Sequence, residues 1–405
     1  LPGVSTPFEF NPDDLAYIAD PYPTYRYLRE HAPAYFWEAG PAWVFSRYDD
    51  VVAILRDPRF SMDFRDWEHA GHDGGADATE FGRLIAKAMF TLPPAEHARV
   101  RKLVGRVFTP RALEWIRESA QAIVDDSLRR LGDAATLDVP PQFADTIPLR
   151  GIGVMLGIPP DLMETFLRFG DGVSRAARPG VNHAERERAL VPFDEGVTMM
   201  RALIAERRQR DGGHGVLAGL VEVRDKDDRL TDDEIIELVM ALVTAGTETV
   251  AHLICFAVLT LLRHPDQLAL LRAEPSLIRN ALDEVLRYDN FQKTGVARFA
   301  LQEAEIGGAM IRKGQMIFPL LPSALRDPDV FPDPDRFDIR RDQTNNVTFG
   351  TGFHHCIGAA LARVEGEVAV GTLIKRFPAL QLSGEPSFGR DPLLRKMVSL
   401  PVRLR

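Results

Sequence analysis

Phe349-Gly350-Thr351-Gly352-Phe353-His354-His355-Cys356-Ile357-Gly358 runs directly into Ala359-Ala360-Leu361-Ala362-Arg363. A glycine-bearing turn therefore delivers a cysteine to a segment of good helix formers, and the sequence predicts a helix from Cys356 to about Phe377. Amides at a helix N-terminus carry partial positive charge, which favours thiolate over thiol. Gly352 and Gly358 clear side chains from either side of the sulfur, so a flat ligand could approach the backbone. Phe349 could shield the sulfur from water. Two other readings stand beside this one. A lone cysteine is commonly a small buried hydrophobe, and His354-His355-Cys356 offers zinc-type donors. Adjacent ligands rarely close one tetrahedral site, however, and no second pair at metal spacing occurs.

Around this stretch the composition is that of an ordinary globular protein. The chain has 405 residues, 45% of them hydrophobic, and 49 basic against 58 acidic side chains give a formal charge of −9. That length can bury a deep core and a cofactor. The acidic excess supplies no field for a polyanion, so nucleic-acid binding is not expected. Cys255 and Cys356 are the two cysteines, too few for a disulfide framework or a four-cysteine zinc site. Leu1 to Asp20 lacks a basic flank followed by an apolar block, so no signal peptide is expected. The longest apolar stretch, Val250 to Leu262, is interrupted by His252 and Thr260 and is too short to span a bilayer. These features predict a soluble, cytoplasmic protein without membrane association.

The chain divides into a helical text with a small β part. Tyr22 to His31 has helical spacing; Ala34 to Trp37 and Ala42 to Ser46 bracket a hairpin turn; Asp49 to Asp57 returns to helix. From Pro94 to about Arg210 the pattern is mostly helical. Thr231 and Glu234 form a capping box ahead of an apolar helix that should cross the core up to His264-Pro265. Two further helices end near Tyr288, strand-like alternation fills Gly295 to Pro319, and an Asp/Pro-rich meander covers Arg326 to Asp342. No repeat or linker divides the chain, which predicts one mainly α domain with a minor β part over residues 1–405.

The cysteine loop resembles the haem-binding loop of the cytochrome P450 family, in which the cysteine thiolate is the proximal iron ligand. The resemblance implies the triangular helical fold of that family and a haem b whose iron is held by Cys356, with Phe349, Gly350 and Gly358 beside it. Asp20-Pro21-Tyr22-Pro23, Trp43 to Ser61, Arg326-Asp327-Pro328 and Phe331 to Asp338 match the family as well, so the likeness covers nearly the whole chain. On residues alone, Glu284-Val285-Leu286-Arg287 is a carboxylate and a guanidinium on one helical face, common in surface ion pairs. In the family it is a buried structural pair joined by an arginine of the meander, and Pro334-Asp335-Arg336-Phe337 makes Arg336 the expected third member.

Ala245-Gly246-Thr247-Glu248-Thr249 places a glycine and polar residues inside the long helix, where they weaken it by about 1 kcal/mol relative to alanine. Helix packing would explain them. The resemblance implies a distal acid–alcohol pair instead: Ala245 and Gly246 over the iron, Gly246 allowing a local opening, Thr249 positioning a water, and Glu248 relaying protons. His97, Arg101, Arg298 and His354 match the positions that bind the haem propionates. By analogy Phe90, Ala241, Thr244, Thr294, Val296 and Met397 would line a largely apolar pocket, with Asp63 to Met89 and Gly170 to Glu185 as lids.

The implied enzyme is an iron-dependent oxidoreductase, a monooxygenase of bacterial secondary metabolism. It would use dioxygen to hydroxylate or epoxidise a largely apolar small molecule of the polyketide, macrolide or terpenoid class. Electrons would come from an external ferredoxin and an NAD(P)H-dependent ferredoxin reductase, steered by Lys102, Arg106, Arg111 and Arg363. A peroxide-driven peroxygenase or a non-catalytic haem-binding protein are the alternatives; Glu248 and Thr249 argue against both. Two departures from the family pattern stand out. Asn345-Asn346 lie where relatives often carry a His, and Asp289-Asn290-Phe291-Gln292-Lys293 lies where they often carry Pro-Pro.

Overall fold

The structure, a computed structural model, describes residues 8–70, 79–107, 110–178, 181–209, 215–223 and 228–405. Residues 71–78 of the expected first lid, residues 179–180 of the second and the Arg111 side chain fall outside the described residues.

The long helix is Asp232–Arg263, and the predicted capping box starts it. The Glu234 N–H donates to the Thr231 hydroxyl at 3.2 Å, and the Thr231 N–H donates to the Glu234 carboxylate at 2.7 Å. Asp232, Asp233 and Glu234 also place negative charge at the positive end of the helix dipole. Apolar residues from Ile235 to Leu261 are buried along its length. By length and composition the helix could cross a membrane, but most of its apolar window is buried within the protein, as befits a core helix. Helices Pro110–Arg130, Pro148–Leu156, Ile278–Tyr288 and Ala359–Arg376 pack around this axis and around one another.

Helices Met163–Ala176 and His183–Gln209 pack together over the N-terminal half of the axis. Here the structure corrects the expectation of a lid loop over Gly170 to Glu185. Gly170 and Gly172 lie inside helix Met163–Ala176 and serve close packing: a Cβ on Gly170 would lie 2.6 Å from the Leu149 side chain, and one on Gly172 would lie 2.7 Å from the Ala189 carbonyl oxygen.

The β part is small. The hairpin pairs Ala34–Trp37 with Ala42–Phe45, Ala34 opposite Phe45. The second strand runs parallel to Met316–Pro319, which pairs with Arg298–Ala300, and Phe60–Ser61 closes the sheet edge. This sheet fixes Arg298 beside the helical core. The meander from Arg326 to Asp342 is irregular, as its Asp and Pro content predicts.

The final helix starts at Ala359, three residues later than the sequence predicts. A short turn, Gly352–His354, precedes it, the Cys356 N–H donates back to the Phe349 carbonyl at 2.8 Å, and Gly358 is the N-cap. Cys356 therefore sits on the turn ahead of the helix, outside its first turn.

Candidate functional site

A cavity of ≈ 390 Å³ opens between the axis helix and the Cys356 loop. One wall is a stripe of the axis helix at spacings of three and four residues: Leu238, Ala241, Ala245, Thr249 and Leu253. The opposite wall carries Phe349, Gly350, Cys356 and Gly358. Gly350 has φ 72°, a left-handed conformation that only glycine takes without strain, and it sets the loop's turn. A Cβ on Gly358 would lie 3.9 Å from the Cys356 sulfur, so glycine keeps that approach open.

Cys356 is exposed by surface area yet deeply enclosed by protein atoms, because what it faces is the cavity. The sequence led us to expect a thiol pulled down by helix amides. Burial dominates and raises it, while the Gly358 and Ala359 amides and the Arg101 and Arg363 guanidiniums pull the other way. Phe349 lies under the Arg363 guanidinium, 4.4 Å from the ring centre, and Arg363 also pairs with Asp283 at 2.8 Å. The Arg363 side chain keeps 29% exposure while it makes both contacts.

At one end of the cavity four basic groups converge: His97, Arg101, Arg298 and His354. His97 is 1% exposed, and its Nδ1 has no partner. Arg298 is buried and, among the described residues, donates to the Val296 and Ala297 carbonyls alone, both at 3.1 Å, so burial pulls its guanidinium down to about 10. His354 is pushed down to about 4 by burial and by the nearby Arg298, His97 and Arg101. The His97 and His354 rings lie 4.8 Å apart. Among the described residues lining the cavity there is no Asp or Glu. Buried cations without counter-charge are costly unless a bound anion supplies it. A flat dianionic group with its centre over the sulfur fits this arrangement, and haem with its two propionates is such a group.

On the axis helix Thr249 lines the cavity and its hydroxyl donates to the Ala245 carbonyl one turn back. The helix is unbroken at Gly246, and a Cβ there would meet only Ile152 at 3.3 Å, so no opening is present in this structure. Glu248 does not line the cavity. Its carboxylate accepts from Lys396 Nζ at 3.2 Å, on the side of the helix facing strand Lys396–Ser399.

Of the expected pocket residues, Phe90, Ala241 and Val296 line the cavity, and three do not. Thr244 lies off the stripe that runs through Ala241, Ala245 and Thr249, and its hydroxyl donates to the Met240 carbonyl at 3.0 Å. Thr294 is buried and donates to the Gly295 carbonyl at 3.2 Å, just before Gly295 turns the chain with φ 73°. Met397 is buried among the core side chains around the second half of the axis helix. Met89, Leu238 and Gln292 line the cavity and were missed. Leu238 was accessible from helical spacing, one turn before Ala241.

Beneath the cysteine loop Glu284 and Arg287 are fully buried and paired at 2.7 Å. Arg287 also donates to the Leu325, Pro334 and Arg336 carbonyls. The third member of this group is Arg341, whose Nε lies 3.1 Å from Glu284. Arg336 corrects the expectation: its side chain is 66% exposed and faces Asp338 at 3.7 Å, and only its carbonyl enters the network. Asn346 donates to the Asp283 carbonyl at 2.9 Å, so this departure from the family pattern braces the loop against helix Ile278–Tyr288. Asn290, Phe291 and Gln292, in the second departure, line the cavity. Among the described residues no His, Cys, Asp and Glu cluster could hold a metal ion by itself, so the zinc reading has no second set of ligands.

Comparison with known proteins gives a consistent picture. The family model for cytochrome P450 matches residues 193–399. The chain is 42% identical over 98% of its length, and 96% of the relative's, to an epothilone C/D epoxidase of Sorangium cellulosum. It is 36% identical to 6-deoxyerythronolide B hydroxylase of Saccharopolyspora erythraea, covering 96% of this chain and 97% of that one. The crystal structure of epothilone D-bound cytochrome P450epoK superimposes with a TM-score of 0.90 at 42% identity, covering 98% of this chain and 99% of that one.

Proposed function

The chain belongs to the cytochrome P450 family, and from that premise we propose that it epoxidises or hydroxylates a largely apolar polyketide-type molecule of bacterial secondary metabolism. It is a haem b monooxygenase; haem, when bound, would supply the activation of dioxygen by two electrons and two protons that leaves one oxygen atom in the organic product and one in water. The observation that carries the site assignment is the cavity itself. One cysteine sulfur faces it, four basic groups without an acid gather at one end, and the rest of the lining is mostly apolar.

In this reading Cys356 Sγ would hold the iron, while Arg101, Arg298, His97 and His354 would hold the propionates. Arg298 needs no rearrangement, since its guanidinium already sits at the cavity without a carboxylate. Phe349, held with the Arg363 guanidinium over its ring, would shield the sulfur from water. Thr249 commits its hydroxyl proton to the Ala245 carbonyl, leaving its oxygen lone pairs to position a water at the cavity. Glu248 is partly exposed and can take a proton from solvent at its carboxylate. To pass that proton inward it must leave Lys396 and turn toward Thr249. Ala241, Phe90 and Val296 present apolar surface to the substrate.

Support for the substrate class comes from the relatives, named for epothilone and 6-deoxyerythronolide B, together with the lining. The whole chain acts as one domain in the cytoplasm, without a membrane or nucleic-acid partner. Its electrons come from a ferredoxin served by an NAD(P)H-dependent ferredoxin reductase. Lys102 and Arg106 are exposed past Arg101 and lie on the docking face. Exchanging both for Ala should slow reduction by ferredoxin and flatten its dependence on salt; an unchanged, salt-independent rate would remove them from that role.

The catalytic assignment is tested with Thr249→Ala, with epothilone D as the trial substrate and a ferredoxin–reductase pair as the donor. Electron consumption should persist while product per electron falls roughly tenfold or more and hydrogen peroxide rises. Unaltered coupling would contradict the role of Thr249.

A further inference from the structure

Between helix Ile278–Tyr288 and strand Arg298–Ala300 the chain passes along the cavity wall through Asn290, Phe291 and Gln292. Hydrogen bonds fix the backbone of this stretch. The Gln292 N–H donates to the Asn290 side-chain oxygen at 2.9 Å, and the Arg395 N–H donates to the Phe291 carbonyl at 2.7 Å. The Lys293 N–H donates to the Leu393 carbonyl at 3.0 Å, and Gln292 pairs with Leu394 in an antiparallel bridge. The Tyr17 and Tyr25 hydroxyls donate to the Lys293 carbonyl at 2.7 and 2.6 Å. Gln292 therefore carries its side chain on a backbone braced from both sides.

The fold makes no use of the carboxamide on that side chain. Its oxygen is buried and has no hydrogen-bond partner among the described residues, although Gln292 lines the cavity. The other amide and hydroxyl side chains of the lining are paired within the protein. Asn290 donates to the Leu286 carbonyl at 2.7 Å and to the Thr348 hydroxyl at 3.3 Å, and Thr249 donates to the Ala245 carbonyl. Around Gln292 the lining is apolar, with Phe291 and Val296 on the same stretch and Val250 and Leu253 on the axis helix. Neither the propionate-binding group nor the Thr249–Glu248 pair involves Gln292. A buried amide oxygen without a partner is costly, and a ligand that supplies the missing hydrogen bond removes that cost.

We propose that Gln292 is a specificity-determining residue whose carboxamide hydrogen-bonds an oxygen function, a hydroxyl or a carbonyl, on an otherwise apolar substrate. This deepens the monooxygenase reading and rests on it for what the cavity admits. A carboxamide offers an accepting oxygen and a donating NH2 group, and half a turn of the amide exchanges their places. One side chain can thus serve either kind of oxygen function. In an apolar pocket a single placed polar group selects by what it leaves unpaired: a molecule lacking the oxygen buries the amide against carbon. The braced backbone keeps the ordering cost of that hydrogen bond low.

Gln292→Met, which keeps the length of the side chain and removes both hydrogen-bonding atoms, tests this together with Gln292→Leu. The probes are 1-adamantanol and 1-fluoroadamantane, cages of nearly equal size that differ in the hydroxyl. In calorimetric titrations of the haem-loaded protein, the ratio of affinities, alcohol over fluoride, should fall about tenfold from wild type to either variant. Affinity for 1-fluoroadamantane itself should stay within about twofold in Gln292→Met, since that probe gains nothing from the amide. The melting temperature of the ligand-free protein should be unchanged or higher in Gln292→Met, because an unpaired buried oxygen has been removed. An unchanged affinity ratio in both variants would overturn the proposal. A lower melting temperature in Gln292→Met would overturn it as well, by assigning the amide to the fold. The heat of binding is read with or without haem, so a chain that takes up no haem would overturn the P450 reading while the affinity ratio still decides this one.

Discussion

At the residue scale, Arg298 shows how a binding site can be recognised by what it lacks. A guanidinium with its charge buried and no carboxylate nearby weakens the free chain and strengthens the holo form, because the missing anion arrives with the ligand. Arg298→Leu should therefore leave the melting temperature of the haem-free chain unchanged or higher. It should also speed haem loss to apomyoglobin by roughly tenfold, the scale of one charge-assisted hydrogen bond. Haem retention equal to wild type would show that Arg298 holds no propionate. His97, Arg101 and His354 were readable in the sequence only through the family likeness. Nothing in a lone His or Arg says that it faces a cavity, since that depends on chain segments more than 200 residues apart.

At the scale of elements, the motif-bearing helices were legible and the contacts of the meander were not. The capping box at Thr231 and the Pro at 265 bound the axis helix because both act locally, through the backbone of neighbouring residues. Helix Tyr22–His31 and the hairpin from Ala34 to Phe45 followed for the same reason. Arg336 was misassigned because an irregular segment has no period from which to read side-chain direction. The chain turns between Asp333, at φ 48°, and Asp338, and brings Arg341 onto Glu284 instead. This distinction can be measured. Arg341→Leu removes one of two guanidiniums from a fully buried carboxylate and should cost about 3–5 kcal/mol of stability in urea unfolding. Arg336→Ala touches an exposed side chain and should stay within about 0.5 kcal/mol. The reverse order of effects would reinstate Arg336.

At the scale of the whole molecule, packing between helices creates groups whose protonation couples to folding. Glu365, on helix Ala359–Arg376, is buried, and a Cβ on Gly151 would lie 2.3 Å from its carboxyl oxygen, so the carboxyl rests on the backbone of helix Pro148–Leu156. Burial pushes it up to about 8. The native chain then holds a proton that the unfolded chain has released, so this group's contribution to stability falls as pH rises from its ordinary value of 4.5 towards 8. Glu365→Gln should remove that fall. Its melting temperature relative to wild type should rise between pH 5 and pH 8, with each tenfold difference in proton affinity worth about 1.4 kcal/mol. A constant difference across that range would mean that Glu365 is ionised in the folded protein. The global architecture was legible because the Cys356 loop, the Glu284–Arg287 pair and the acid–alcohol stretch occur together in one chain order. The substrate wall was less so, since Thr244, Thr294 and Met397 turn on single-residue offsets that only packing decides. The central claim is a haem held by the Cys356 thiolate in this cavity, and the absorption spectrum of the dithionite-reduced, carbon-monoxide-bound protein tests it most directly. A strongly red-shifted Soret band in wild type that is lost in Cys356→Ser is the predicted result, and a histidine-type band in both proteins would contradict it.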